Sequence, residues 1–244
     1  MQHFSWYDLI PAFGSLSEWL REKGVLGEHS GAQHMISATL VFLFLVFVAV
    51  FVGRRYRDRE KSLVPPRRFG LTALFEFLIE KLETLVHDVI GHGAEKHVPI
   101  LLSTFIFIFF SNLLGAIPGF PPPTSTVATN AAMAFTIFLY YNYAGFRAHG
   151  VGYLKHFAGP VIWLAWLMIP IELIGHLVRP VSLSLRLAGN ITGDHMVLGI
   201  FTDLTYIVVP MAFVILGLFI AFVQAFVFTL LSTIYIALAV SHDH

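Results

Sequence analysis

From Ile207 to Val240 the chain runs thirty-four residues without one Asp, Glu, Lys, Arg or His. A perpendicular helix crosses the roughly 30 Å hydrocarbon core of a bilayer with about 20 apolar residues. This block, as one helix, reaches about 51 Å at about 1.5 Å per residue. The block before it, Gly159 to Asp203, is also largely apolar and exceeds a single perpendicular span. Neither contains a turn signal strong enough to divide it, so each reads as one long, strongly tilted helix. Two such helices restrict the chain to an integral membrane protein. Composition agrees: 12% of residues are charged and 57% hydrophobic, where a soluble domain carries about 25% charged residues. Mean hydropathy is +0.75.

The remaining segments fit a single all-α membrane domain, residues 1–244, with five membrane-crossing helices. Residues 1–34 mix aromatic anchors (Phe4, Trp6, Tyr7, Trp19) with Asp8, Glu18, Arg21 and Glu22, the pattern of an interfacial segment. No basic stretch leads into an apolar run there, so no cleavable signal peptide is expected. Residues 35–53 form the first span. Arg54 to Arg68 then holds seven of the fifteen Lys and Arg. The positive-inside bias places that loop in the cytoplasm and the N-terminus outside. Residues 71–92 are amphipathic: Glu76, Glu80, Glu83 and His87 oppose Phe75, Leu78, Leu82 and Val89. Too polar to span, they read as a helix on the cytoplasmic surface. Residues 98–146 form a helical hairpin around a rigid turn containing Pro118, Pro121, Pro122 and Pro123. Residues 159–240 hold the two long helices, and the C-terminus falls in the cytoplasm.

Polar residues are rare enough in such a chain to be informative. Between Glu172 and His195 lie Glu172, His176, Arg179, Arg186, Asn190, Asp194 and His195. A charge at membrane depth is costly and tends to be paired or to line a pathway. At about 100° per residue, Glu172, His176, Arg179, Arg186 and Asn190 share one stripe if the helix continues through Pro180. The stripe is about 27 Å long. Arg186 lies about 21 Å from Glu172 along the axis, too far for direct pairing. Asn112, inside the second span, reads equally as a packing group or a pathway residue.

Several function classes lose support. A net charge of zero gives no reason to expect a nucleic-acid partner, and zero cysteines remove thiolate chemistry. His87, His92 and His97 are five residues apart and share no helix face, so no metal site is expected, nor a cofactor. Twelve histidines raise the possibility of a membrane haem protein, but most lie in polar flanks rather than facing each other at matched depth. An inverted-repeat transporter would show internal repetition, which is absent.

Two stretches carry a resemblance. Arg186-Leu-Ala-Gly-Asn190 is followed, 38 residues after the arginine, by Gln224-Ala-Phe-Val-Phe-Thr-Leu-Leu. Together they closely resemble subunit a of the bacterial F-type rotary ATP synthases, and the similarity extends over the whole chain. The resemblance implies a stator proton channel beside the c-subunit ring, with two offset half-channels. Such a subunit is not an enzyme by itself. Its implied partners are the c-ring, b-type peripheral-stalk subunits, through them the soluble ATPase sector, and the lipid bilayer. Its implied location is the bacterial plasma (inner) membrane, multi-pass. By the same resemblance Arg186 is the essential arginine facing the rotor carboxylate, with Asn190 and Gln224 as its polar neighbours. Glu172 and Arg179 match polar positions on the cytoplasmic side, with His176 between them. His195 matches a Glu or His position of the outer half-channel. Relatives often pair that position with a titratable group on the last helix, seven residues before the glutamine. Here that position is Gly217, and the partner must come from elsewhere, such as Asp194, Asp203 or water.

Overall fold

A computed structural model describes residue 15 and residues 33–56, 70–91, 93–117, 120–150, 152–153, 165–204 and 208–241. The interfacial segment before Gln33, the basic loop beyond Tyr56, His92, Lys155 and the last three residues lie outside the described residues. Six helices of eighteen residues or more are described: α1 (Gln33–Tyr56), α2 (Leu71–Ile90), α3 (Val98–Gly115), α4 (Val127–His149), α5 (Ala165–Leu204) and α6 (Val208–Val240). Among the described residues, α1, α3, α5 and α6 are long and apolar enough to cross a membrane.

The core is assembled from stripes at helical spacing. Leu101, Phe105 and Ile108 of α3 meet Ala134, Ile137 and Tyr141 of α4, Leu183, Leu187 and Ile191 of α5, and Ala225, Phe228 and Ile236 of α6. The inward face of α6 is built largely from small residues: Ala221, Ala225, Thr229, Ser232, Thr233 and Ala239 are all buried. Small side chains let helix backbones approach closely where lipid offers no hydrophobic drive to associate. Two of the three hydroxyls on that face, those of Ser232 and Thr233, are satisfied locally, and that of Thr229 is buried without a hydrogen-bond partner among the described residues. Ser232 Oγ donates to the Phe228 carbonyl and Thr233 Oγ1 to the Thr229 carbonyl, each at 2.8 Å. Outward faces carry exposed apolar side chains such as Phe42, Phe47, Ile174 and Phe219.

α5 runs as one forty-residue helix through both Pro170 and Pro180. Proline has no N–H, so Pro180 leaves the His176 carbonyl without its usual helical donor. The stripe from Glu172 to Asn190 is therefore physically continuous. It follows the edge of α5's buried face: His176 is buried, Arg179 half-buried, and Glu172, Arg186 and Asn190 are exposed.

α2 has the expected two faces, with Phe75, Leu82 and Val86 buried and Glu80, Glu83 and His87 exposed. It does not stand apart at one end of the bundle. Phe75 stacks on Phe110 of α3 at 5.9 Å, about 18 Å along α3 from its first residue. The apolar stripe is long enough to lean against α3 and α6, and α2 does so. Its end is set by Gly91 (φ 75°) and Gly93 (φ 86°), both in a backbone region that favours glycine.

Candidate functional site

The polar residues of α5 fall into three environments. The first is near its start. Glu172 Oε1 lies 3.9 Å from His176 Nδ1 and 4.0 Å from Arg179 Nη2. Helical steps of four and seven bring these side chains together, as their spacing predicts. The Arg179 guanidinium also sits over the Tyr235 ring of α6, 5.1 Å from its centroid. The His176 ring packs edge-on against Tyr141 of α4 at 5.4 Å. Tyr153, on the connection between α4 and α5, completes this end. Its hydroxyl donates to Asn142 Oδ1 at 3.2 Å and lies 3.4 Å from His176 Nε2. Burial pushes the Tyr153 phenol up from its ordinary value, against the opposing pull of Arg179. The phenol is thus a protonated donor at neutral pH.

The second environment is the middle of the stripe. Arg186 is exposed on this chain's surface, with exposed Val181 and Leu185 beside it on α5. Among the described residues no carboxylate pairs with it; the ion pairs near it on α5 belong to Glu172, about 21 Å away. Asn190, one turn further, is also exposed.

The third is a cavity between the later part of α5 and the first half of α6. It occupies about 500 Å³, its open mouth included, and its lining includes Asn112, Asp194, His195, Gly217 and Gln224. The absent side chain at 217 has a direct consequence. A β-carbon there would lie 2.7 Å from Asp194 Oδ2. Asp194 therefore fills the space that a larger residue on α6 would need. His195 is placed against α3: a β-carbon at Gly115 would lie 3.1 Å from its Nε2 and 2.8 Å from Pro122 Cγ. Asp203 lies where side chains are not described.

Asn112 forms the inner wall of this cavity. Thr124 Oγ1 donates to its Oδ1 at 2.7 Å, and its Nδ2 donates to the Ala221 carbonyl at 3.3 Å. Asn130 Nδ2 in turn donates to the Thr124 carbonyl at 2.7 Å. Asn112 is thus both a packing group joining α3 to α6 and a cavity-lining group. Gln224 lines the same cavity about one turn along α6 from Ala221, at the Asp194 end.

Sequence reasoning missed Tyr153, Asn142 and Gly115. Tyr153 stands in the fifteen-residue connection between α4 and α5. The signal for it is indirect: Gly145 on α4, where a β-carbon would come within 2.5 Å of the Tyr153 ring.

A family model described as ATP synthase A chain matches residues 35–237. The ATP synthase subunit a of Bdellovibrio bacteriovorus is 42% identical over 242 residues, covering 99% of each chain. The ATP synthase subunit a 1 of Syntrophotalea carbinolica is 42% identical over 234 residues, covering 93% of this chain and 97% of its own. The ATP synthase subunit a 3 of Pelobacter propionicus is 43% identical over 209 residues, covering 86% and 88%. Over nearly its whole length, then, the chain belongs to the ATP synthase A chain family.

Proposed function

We propose that this chain carries protons to and from a rotor carboxylate through two half-channels that stop at different depths, with Arg186 between them. The observation that carries this reading is the state of Arg186: an exposed cation on an apolar face, with no acid among the described residues to pair with. Such a charge calls for an anionic partner from another subunit. A carboxylate of the c-ring, arriving through lipid as a neutral acid, supplies one.

A positive charge about 4 Å away stabilises a carboxylate by about 4 kcal/mol at an effective dielectric near 20. That is about 3 pKa units. A rotor acid reaching Arg186 is therefore pressed to release its proton, and one returning to lipid must first be reprotonated. The guanidinium keeps its own proton and cannot relay it. The driving force is the membrane potential, about 2.3 kcal/mol per charge per 100 mV, with any pH difference added.

The Glu172–His176–Arg179 cluster serves the cytoplasmic half-channel. Asp194, His195 and the cavity they line serve the outer one, and Asn190 and Gln224 hold water or orient Arg186 between them. The positive-inside bias supports this orientation, with the N-terminus outside and the C-terminus in the cytoplasm of a bacterial plasma membrane. α4 makes the fifth crossing: it presents exposed Phe135, Leu139 and Phe146 outward while Asn130 and Tyr141 are buried. α5 and α6 exceed a perpendicular span and lie tilted across the rotor face. The b-type peripheral-stalk subunits are further partners of this chain, and through them the soluble ATPase sector.

Glu172→Gln and His195→Ala are each expected to slow ATP-driven acidification of inverted membrane vesicles severalfold without abolishing it. Neither change touches the arginine, and water remains in both half-channels. A wild-type rate in either variant removes that residue from the path.

A further inference from the structure

We propose that Tyr153 is a positioning residue of the cytoplasmic half-channel, fixing His176 with its proton on Nε2 so that Nδ1 faces Glu172. The inference rests on assigning the Glu172 cluster to that half-channel.

The hydrogen bonds among the described residues leave one arrangement. Asn142 Nδ2 donates to the Phe138 carbonyl at 2.7 Å, which fixes its amide so that Oδ1 is the atom turned to Tyr153. The Tyr153 hydroxyl donates its single hydrogen to that Oδ1 at 3.2 Å. It has no second hydrogen for His176 Nε2, 3.4 Å away. That contact is therefore a donation from Nε2–H to the phenol oxygen. A neutral imidazole protonated at Nε2 carries its lone pair on Nδ1, and Nδ1 is the atom 3.9 Å from Glu172 Oε1. Nδ1 is then the atom of His176 that exchanges a proton with the Glu172 carboxylate, once the pair closes from 3.9 Å to hydrogen-bond distance. Nε2 keeps its hydrogen throughout.

The tyrosine is held rigidly enough to impose this. It is 4% exposed. Its ring fills the notch left by Gly145, where a β-carbon would approach within 2.5 Å. Its ring also lies 4.9 Å from that of Phe146. The turn that delivers it begins at Gly150, at φ 56°, and the Tyr153 N–H donates to the Gly150 carbonyl at 3.2 Å. Among the described residues, the other titratable or charged groups facing His176 are Glu172 and Arg179 on α5 and Tyr141 on α4. Tyr235 of α6 reaches the cluster through Tyr141 and Arg179.

Tyr153→Phe retains the ring in its notch and removes only the acceptor for Nε2–H. A hydrogen bond from an imidazolium is stronger than one from neutral imidazole, so its loss disfavours the protonated ring. The test is proton flux through the reconstituted membrane sector, containing this chain and the c-ring, with pH varied on one side at a time. The expected result is a slower flux whose acid limb on the cytoplasmic side moves about 1 pH unit toward acid, with the outer-side profile unchanged. Profiles unchanged on both sides, or displaced equally on both, would overturn the proposal. Glu172→Gln in the same preparation separates the two readings. If it slows flux while Tyr153→Phe matches the parent, only the role of Tyr153 falls. If Glu172→Gln itself matches the parent, the half-channel assignment falls, and the Tyr153 role falls with it.

Discussion

Arg186→Ala is expected to abolish ATP-driven proton pumping while the complex still assembles. The two halves of this result have separate causes. Assembly survives because the Arg186 side chain is exposed and forms no ion pair among the described residues, so its removal leaves no buried partner there uncompensated. Pumping fails because the rotor carboxylate loses the field that lowers its pKa by about 3 units, a change of about a thousandfold in proton release. The measurements are fluorescence quenching by inverted vesicles supplied with ATP, and co-purification of the c-ring with the variant. Normal pumping in a fully assembled variant would remove Arg186 from the mechanism.

Asp194→Asn carries the second large effect. Among the described residues the cavity at this end holds one carboxylate, and Gly217 leaves the room it occupies. Asparagine matches the shape and cannot exchange a proton at physiological pH. A positioned acid–base group accelerates transfer by about 10²-fold or more, so ATP synthesis driven by an imposed proton gradient should fall by about that factor. His195, with Nε2 close to Gly115, remains as a partial substitute and keeps the rate above zero. Synthesis at the parent rate in Asp194→Asn would show that His195 and water suffice, and that the approach of Asp194 to Gly217 is packing alone.

The parts of this architecture that repeat with a period were legible in the sequence. The α5 stripe from Glu172 to Asn190 follows from residue spacing, and the one uncertainty in it, whether the helix survives Pro180, is resolved by a continuous helix. The two-faced character of α2 was equally plain. Its lean along α3 was not, because it depends on Phe75 finding Phe110 in a different helix. The missing titratable group at Gly217 could be noticed in the sequence. That the Asp194 side chain reaches into the space beside Gly217 is a matter of distance between α5 and α6, which residue spacing alone does not give. Asn112 shows the same limit, since an asparagine inside a span reads alike whether it packs or lines a cavity, and this one does both. Tyr153 was invisible because a side chain in a connection between helices acquires meaning only from what it touches.

The central claim is that the two half-channels do not meet, so that a proton crosses only by riding on the rotor. The most direct test is passive proton flux through the reconstituted membrane sector before and after the c-ring is covalently cross-linked to this chain. The account predicts flux in the free sector, loss of it on cross-linking, and recovery when the link is cleaved. Flux that persists undiminished with the rotor locked would contradict it, because protons would then be passing Arg186 directly.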